Sequence, residues 1–311
     1  MGRLRSQSAM EYLMTYGWAI LVIAVVLGVL FQLGVFGDAN LAPKATPGSC
    51  EVQRTVAGSS LAGMCQGELP EYVAQLSGSN ELNTNNIYIQ QVSGMSGSNV
   101  PFTLTGWVEI PLIDTNPNFD WMEPFVSFNY QGAGIFNYTS SPSTTVTMVL
   151  HRCTGADTCT SGVCGGQSSY SSKITQTLGS FFGKWHFFAY SSDPPSYFFQ
   201  LDNQTAAATN GNPTSWSNGV YIGGLGGACG DSSMKGFIAN IQLYNTTLST
   251  AEVQALYQEG IGGAPVRPQN IVGWWPLNGN LNDYSGNSND GQAQGVGVGY
   301  TSFWSSGYTA P

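Results

Sequence analysis

Apolar positions fall along this chain in two patterns. From Tyr12 to Phe36 they form one unbroken run, YLMTYGWAILVIAVVLGVLFQLGVF, without a charged side chain. Beyond Tyr72 they come as short or alternating runs, YVAQL, NIYIQQV, FTLTGWVEI, FVSFNY, TTVTMVL, WHFFAY, YFFQL, VYIGG and FIANIQLY, each bounded by Gly, Ser, Asn or Pro. The first pattern predicts a helix over 7–36, because about 25 apolar residues rising 1.5 Å each exceed the roughly 30 Å hydrocarbon core of a bilayer. The second predicts strands of a sandwich or barrel. One segment departs from it: LSTAEVQALYQEGI, 248–261, sets Leu248, Val253, Leu256 and Tyr257 on one side of a helix. Ser249 with Glu252 three residues later makes a capping box, and Gly260 makes a C-cap. No helix–strand alternation occurs, which excludes a parallel α/β sheet.

Composition sharpens this. Of 311 residues only 9% are charged and 40 are glycine, which suits a turn-rich β domain outside the cell. The net charge of −9, with no Lys/Arg cluster, excludes nucleic acid as a partner. Arg3 and Arg5 precede the apolar run and Asp38 follows it, so the bias of basic residues toward the cytoplasm places the N-terminus inside. The run is too long for a secretory h-region and lacks Ala-x-Ala spacing, so ordinary signal cleavage is not expected. Glu11 stands at its mouth, either as an interfacial residue favoured by the helix dipole or as a group with a task. Residues 37–66 are Pro-, Gly- and small-residue-rich at their start, GDANLAPKATPGSC, and predict a linker.

Six cysteines, Cys50, Cys65, Cys153, Cys159, Cys164 and Cys229, all follow the apolar run, where disulfides persist. Three disulfides are expected. Proximity favours Cys50 with Cys65, and Cys229 with one of the Cys153, Cys159, Cys164 group, whose other two members then pair. Zinc is the weaker alternative, since no Cys-x-x-Cys occurs and His151 and His186 are far apart. Asn137, Asn203 and Asn245 open N-glycosylation sequons.

The segment RSQSAMEYLMTYGWAILVI resembles the class III signal peptide of archaeal type IV pilin-like proteins. The resemblance implies a cytoplasmic leader, 1–6, removed by a prepilin peptidase between Ser6 and Gln7. It also implies a helix that waits in the membrane and then packs with copies of itself in a filament. Glu11, fifth in the mature chain, would pair with the N-terminal amine of a neighbouring subunit. Further on, FTLTGWVEI, GKWHFFAY, YFFQLDNQ, VYIGG and MKGFIANIQLYNTTLSTAEVQALYQEG resemble successive motifs of concanavalin A-like, laminin-G-type jelly rolls. This implies a mainly β protein whose jelly-roll sandwich occupies 67–311 and carries one short helix. Trp107 and Trp185 become inward-facing core residues, Asp202 and Asn203 a hairpin tip, and Tyr244 the end of the last long strand. IVGWWPLNGNLNDYSGNSNDG, 271–291, resembles the opening strand and loop of these domains but stands last. A circular permutation, a truncated second domain or a strand donated to a neighbour would each explain it. About 40 residues cannot bury a core alone, which disfavours the second domain.

Candidate chemistry is sparse. Asn118, Asp120 and Glu123 form N-x-D-x-x-E, a degraded version of the E-x-D-x-x-E of some concanavalin A-like glycosidases. An amide at the first position cannot act as nucleophile, so no enzyme is expected. Asp283, Asn287, Asn289 and Asp290 gather oxygen donors that suit calcium or, equally, a turn held by side-chain to backbone hydrogen bonds. Two functions follow: a pilin-like filament subunit displaying a lectin-like sandwich for adhesion or glycan binding, or a membrane-anchored surface lectin.

Overall fold

The computed structural model describes residues 7–32, 51–55, 58–62, 69–79, 86–97, 100–111, 121–128, 133–139, 145–151, 173–194, 196–209, 219–224, 233–294, 304–306 and 308. The chain divides into two compact units, Met1–Lys44 and Ala45–Pro311.

The first unit holds helix α1 (Gln7–Gln32), 26 residues long. Its side chains are described from Tyr16 to Val29, and every one is exposed. Leu21, Val22 and Ile23 are 56%, 51% and 58% exposed. Consecutive helical positions lie about 100° apart, so the apolar surface runs around the helix instead of forming one stripe. Residues 33–36 of the expected helix lie outside the described residues. The structure does not show the expected membrane span: among the described residues no helix is long and apolar enough to cross a bilayer.

The second unit is a sandwich of two antiparallel sheets. The eight-stranded sheet runs in the order β12 (Gln204–Thr209), β11 (Ser196–Leu201), β10 (Trp185–Asp193), β5 (Phe102–Glu109), β14 (Ser233–Tyr244), β3 (Tyr72–Ser79) and β17 (Trp304–Ser306), with β15 (Ile271–Trp275) also on β14. The seven-stranded sheet runs β16 (Gln292–Gln294), β4 (Asn86–Ile89), β13 (Val220–Ile222), β6 (Trp121–Phe128), β7 (Ala133–Thr139), β8 (Thr145–His151) and β9 (Lys173–Thr177). Helix α2 (Leu178–Phe181) is a single turn, and α3 (Thr250–Glu259) follows β14.

The eight-stranded sheet is buried on both faces, which is why β5 and β10 read as nearly continuous apolar runs. Its inner face meets the other sheet through Leu104, Val108, Phe188, Tyr190, Ile241 and Trp275. Its outer face is covered by α3, whose Val253 and Leu256 pack on Trp107, Phe187 and Ala239. Trp107 and Trp185 therefore correct one expectation. Both are buried, but alternation along β5 and β10 turns them toward the α3 layer and not toward the space between the sheets. Asp202 and Asn203 do form the β11–β12 tip, and Tyr244 does end β14.

The capping box of α3 is present: Glu252 N–H donates to Ser249 Oγ, and the Glu252 carboxylate accepts from Ser249 N–H at 2.8 Å. Arg267 binds the same carboxylate with two nitrogens. Burial pushes the Glu252 carboxyl up, but the Arg267 and Ser249 hydrogen bonds outweigh it and hold the pKa at about 2. A depressed carboxylate contributes stability that is complete above its unfolded value, near 4.3, and is lost as pH falls toward the folded value. The melting temperature is thus expected to drop between about pH 4.5 and 2, and Glu252→Gln should flatten part of that drop. A mutant with the same acid profile as the parent would sink the assignment.

Two features lie where the sequence predicts something else. Within 37–66, Glu51–Thr55 and Gly58–Ala62 pair as a hairpin of two further strands, β1 and β2. Val52 is buried against the α3 layer, and its N–H donates to Tyr284 O at 2.8 Å. The expected linker is therefore not linker throughout, because the Pro/Gly composition ends at Cys50 and alternation begins. At the other end, β15 pairs with β14 of its own chain, Ile241 opposite Trp275 and Gln242 opposite Trp274. Pairing within the chain leaves no part for a donated strand in this arrangement.

Candidate functional site

The loop after β15 is the first place to look, because the sequence assigns it oxygen donors. A bulge sets Leu243 opposite Gly273 and Tyr244 opposite Ile271, so Val272 is the extra residue and its carbonyl points out of the ladder. That carbonyl accepts from Ser285 Oγ at 3.1 Å, Asn287 Nδ2 at 3.0 Å and Asn289 Nδ2 at 2.6 Å. Asp283 is 9% exposed and acts as the hub. Its Oδ1 accepts from the N–H groups of Trp274 and Ser285, and its Oδ2 from Ser285 Oγ and Asn289 N–H. Asp290 Oδ1 accepts from Asp283 N–H, and Asn289 Oδ1 from Ser93 N–H. The four residues do come together, and the oxygens of Asp283, the Asp290 Oδ1 and the Asn289 Oδ1 accept from backbone and side-chain donors of the protein. As placed, the set caps a bulge. Among the described residues no cluster of three metal-ligating His, Cys, Asp or Glu side chains occurs.

His186 has a similar structural task. It stacks on Phe181 with ring centroids 4.7 Å apart and lies between Asp202 Oδ2 at 2.6 Å and Phe181 O at 2.9 Å, tying the β11–β12 tip to α2.

The outer face of the seven-stranded sheet is different. Ile87, Ile89, Val220, Ile222 and Val126 point into the core, so alternation turns Tyr88, Tyr221 and Ser127 to the other face, where Tyr88 is half-buried and Tyr221 and Ser127 are buried. The register lines these up as Gln292, Tyr88, Tyr221 and Ser127 across β16, β4, β13 and β6. The row continues through Gly134 to His151. Tyr88 and Tyr221 stack with centroids 4.7 Å apart and planes 29° apart. Two positions back on β4, Asn86 shares their face and stands opposite Gln294. Asn86 is 1% exposed, and its Oδ1 has no hydrogen-bond partner among the described residues. An orphaned buried acceptor of this kind costs about 1–3 kcal/mol. Gly224 lies against it: a Cβ there would come within 2.7 Å of the Asn86 Cβ. Ser127 Oγ donates to Gly224 O at 2.7 Å, which fixes that glycine from the other side.

The sequence reading marks the strands NIYIQQV and VYIGG but not this site. The signal available was one tyrosine between branched apolar residues in each strand, I-Y-I and V-Y-I. What was missing was their pairing across the chain.

Of the other sequence-predicted residues, Gln7 is the first residue of α1, and Glu11 lies in its second turn. Ser6, all six cysteines, Asn118 and Asp120 lie outside the described residues. Glu123 is in β6 opposite Asn137 of β7. Asn203 is exposed at its turn, while Asn245 is exposed with its Oδ1 accepting from Asn270 Nδ2 at 3.1 Å.

No protein-family description matches the chain, and no characterised protein matches it in sequence. Backbone similarity is distant. It reaches a Bacteroides ovatus protein described as carbohydrate-binding, with TM-score 0.47 and 12% identity over 81% of this chain and 69% of that one. Full-length tailspike protein 2 of an Escherichia coli O157:H7 bacteriophage gives TM-score 0.45 and 13% identity over 78% of this chain. The chain spans 31% of that tailspike's length. Mouse laminin α1 domains LG4–5 give TM-score 0.35 and 13% identity over 57% of this chain and 44% of theirs. Likeness this distant carries no argument about chemistry.

Proposed function

We propose that the chain is a cell-surface protein displaying a lectin-like, glycan-binding sandwich from a pilin-like filament. The observation that carries the filament is α1: a helix apolar on every described side, from Tyr16 to Val29, needs cover that water does not provide. Other copies of the same helix supply that cover in a filament, and lipid supplies it before assembly. Cleavage between Ser6 and Gln7 would leave Gln7, where α1 starts, as the new N-terminus and Glu11 free to meet a neighbour's amine. The lectin-like part is supported by the uncharged tyrosine and amide face of the seven-stranded sheet. The β1–β2 hairpin supports pairing of Cys50 with Cys65, since its end pair, Glu51 opposite Ala62, lies between them. Cys153, Cys159, Cys164 and Cys229 would form the other two disulfides outside the cell. Asn203, exposed at its turn, is the preferred glycan acceptor.

N-terminal and intact-mass analysis of protein from its own cell, with electron microscopy of sheared surface material, tests this reading. The expected results are a chain starting at Gln7, added glycan mass mapping to Asn203, and filaments. A chain still starting at Met1, without filaments, would end the filament proposal in favour of a lectin anchored as a monomer.

A further inference from the structure

The outer face of the seven-stranded sheet combines features that the fold alone does not require. Tyr88 and Tyr221 stack where alternation turns them away from the core. On the same face a side chain that is 99% buried, Asn86, keeps an acceptor without a partner among the described residues. Buried polar atoms are nearly always satisfied, and an exception points to a group the site awaits. The flanking positions on β16 are both amides, Gln292 and Gln294, and in the same row the buried Ser127 of β6 is engaged with Gly224 O. Six side chains in two register rows thus carry no charge, although the chain as a whole is at −9.

We propose that this face binds uncharged glycans, with the apolar C–H face of a pyranose ring against the half-buried Tyr88, which the buried Tyr221 backs from β13, and a ring hydroxyl donating to Asn86 Oδ1. The proposal rests on the lectin-like reading above and names its site and ligand class. A pyranose has an apolar face that suits an aromatic ring and a rim of hydroxyls that needs donors and acceptors, and the tyrosine pair with its amide border supplies both. The absence of charge among these six side chains decides the class. A sialylated or sulfated glycan would leave an anion without a cation partner on a protein of net negative charge. Gly224 packs directly on Asn86, with no room for a Cβ between them, and so holds that side chain in place.

The test uses the full chain on an array of uncharged, sialylated and sulfated glycans. Calorimetry with the best uncharged ligand follows, on the parent, Tyr88→Ala, Tyr88→Phe and Gln292→Arg. Tyr88→Ala is expected to lose about tenfold in affinity, the upper end of what one aromatic contact is worth, while Tyr88→Phe stays near the parent. Gln292 is exposed, so Gln292→Arg should fold, and it should weaken binding because it sets a cation and bulk opposite Tyr88. If Tyr88→Ala melts early, Gln292→Arg still decides. A deoxy-sugar series should single out one hydroxyl whose removal matters in the parent and not in Asn86→Ala. Undiminished binding by both Tyr88→Ala and Gln292→Arg would place the site elsewhere while leaving the lectin-like reading intact. Preference for acidic glycans would overturn the ligand class, and no glycan binding at all would end the lectin-like reading together with this one.

Discussion

Trp275→Ala is expected to lower the stability of the sandwich by about 3–5 kcal/mol, the range for removing a fully buried large aromatic. Trp275 is 0% exposed and belongs to the core between the sheets. Its ring lies along its own strand over Gly273, where a Cβ would come within 2.0 Å of it. Its indole N–H donates to Asn289 O at 2.8 Å. Alanine would leave a cavity bounded by a glycine that cannot fill it, and would orphan a carbonyl in the loop that caps the Val272 bulge. Trp275→Phe, which keeps most of the apolar volume and loses the N–H, should fall between the two. Chemical denaturation with an unchanged m-value reads the difference directly. A loss below about 1.5 kcal/mol for Trp275→Ala would mean that β15 is not part of the cooperative core.

Asp283→Asn is expected to cost about 2–4 kcal/mol, a large effect for a change of one atom in place. All four hydrogen bonds to the carboxylate come from donors: the N–H groups of Trp274, Ser285 and Asn289, and Ser285 Oγ. An amide can serve only half of them, and its NH2 would face the donors that Oδ2 now accepts. The same geometry predicts that EDTA leaves the melting temperature of the parent unchanged, since both Asp283 oxygens are already occupied. Thermal melts of parent and variant, with and without chelator, check both points. An EDTA-sensitive parent would restore the calcium reading of the loop, and a variant as stable as the parent would remove Asp283 as its hub.

Much of the fold was legible because its signals are local. The capping box at Ser249 and Glu252, the turn at Asp202–Asn203 and the strand at each apolar run depend on neighbours a few residues away. Trp107 and Trp185 were read as buried correctly, but on the wrong side. Which face of a strand meets which layer depends on where α3 packs, and one strand's alternation does not carry that information. The choice between calcium and a bulge cap was out of reach of the sequence for a related reason. Asn, Asp and Ser in NDYSGNSNDG suit a cation and a bulge cap alike, and the difference is the Val272 carbonyl, which becomes available only when β15 pairs out of step with β14. The site face went unread because Tyr88 and Tyr221 become neighbours only across a sheet.

The sequence by itself determined a β-rich body with one short capped helix, since hydrophobic period and turn chemistry are properties of short segments. Tertiary structure alone decided the assembly of that body: a hairpin in the supposed linker, β15 closing on β14 of its own chain, and two tyrosines stacked beside an Asn86 whose Oδ1 has no partner among the described residues. Each depends on residues distant along the chain meeting in one register, and that meeting is set by packing the whole core, not by any segment of it.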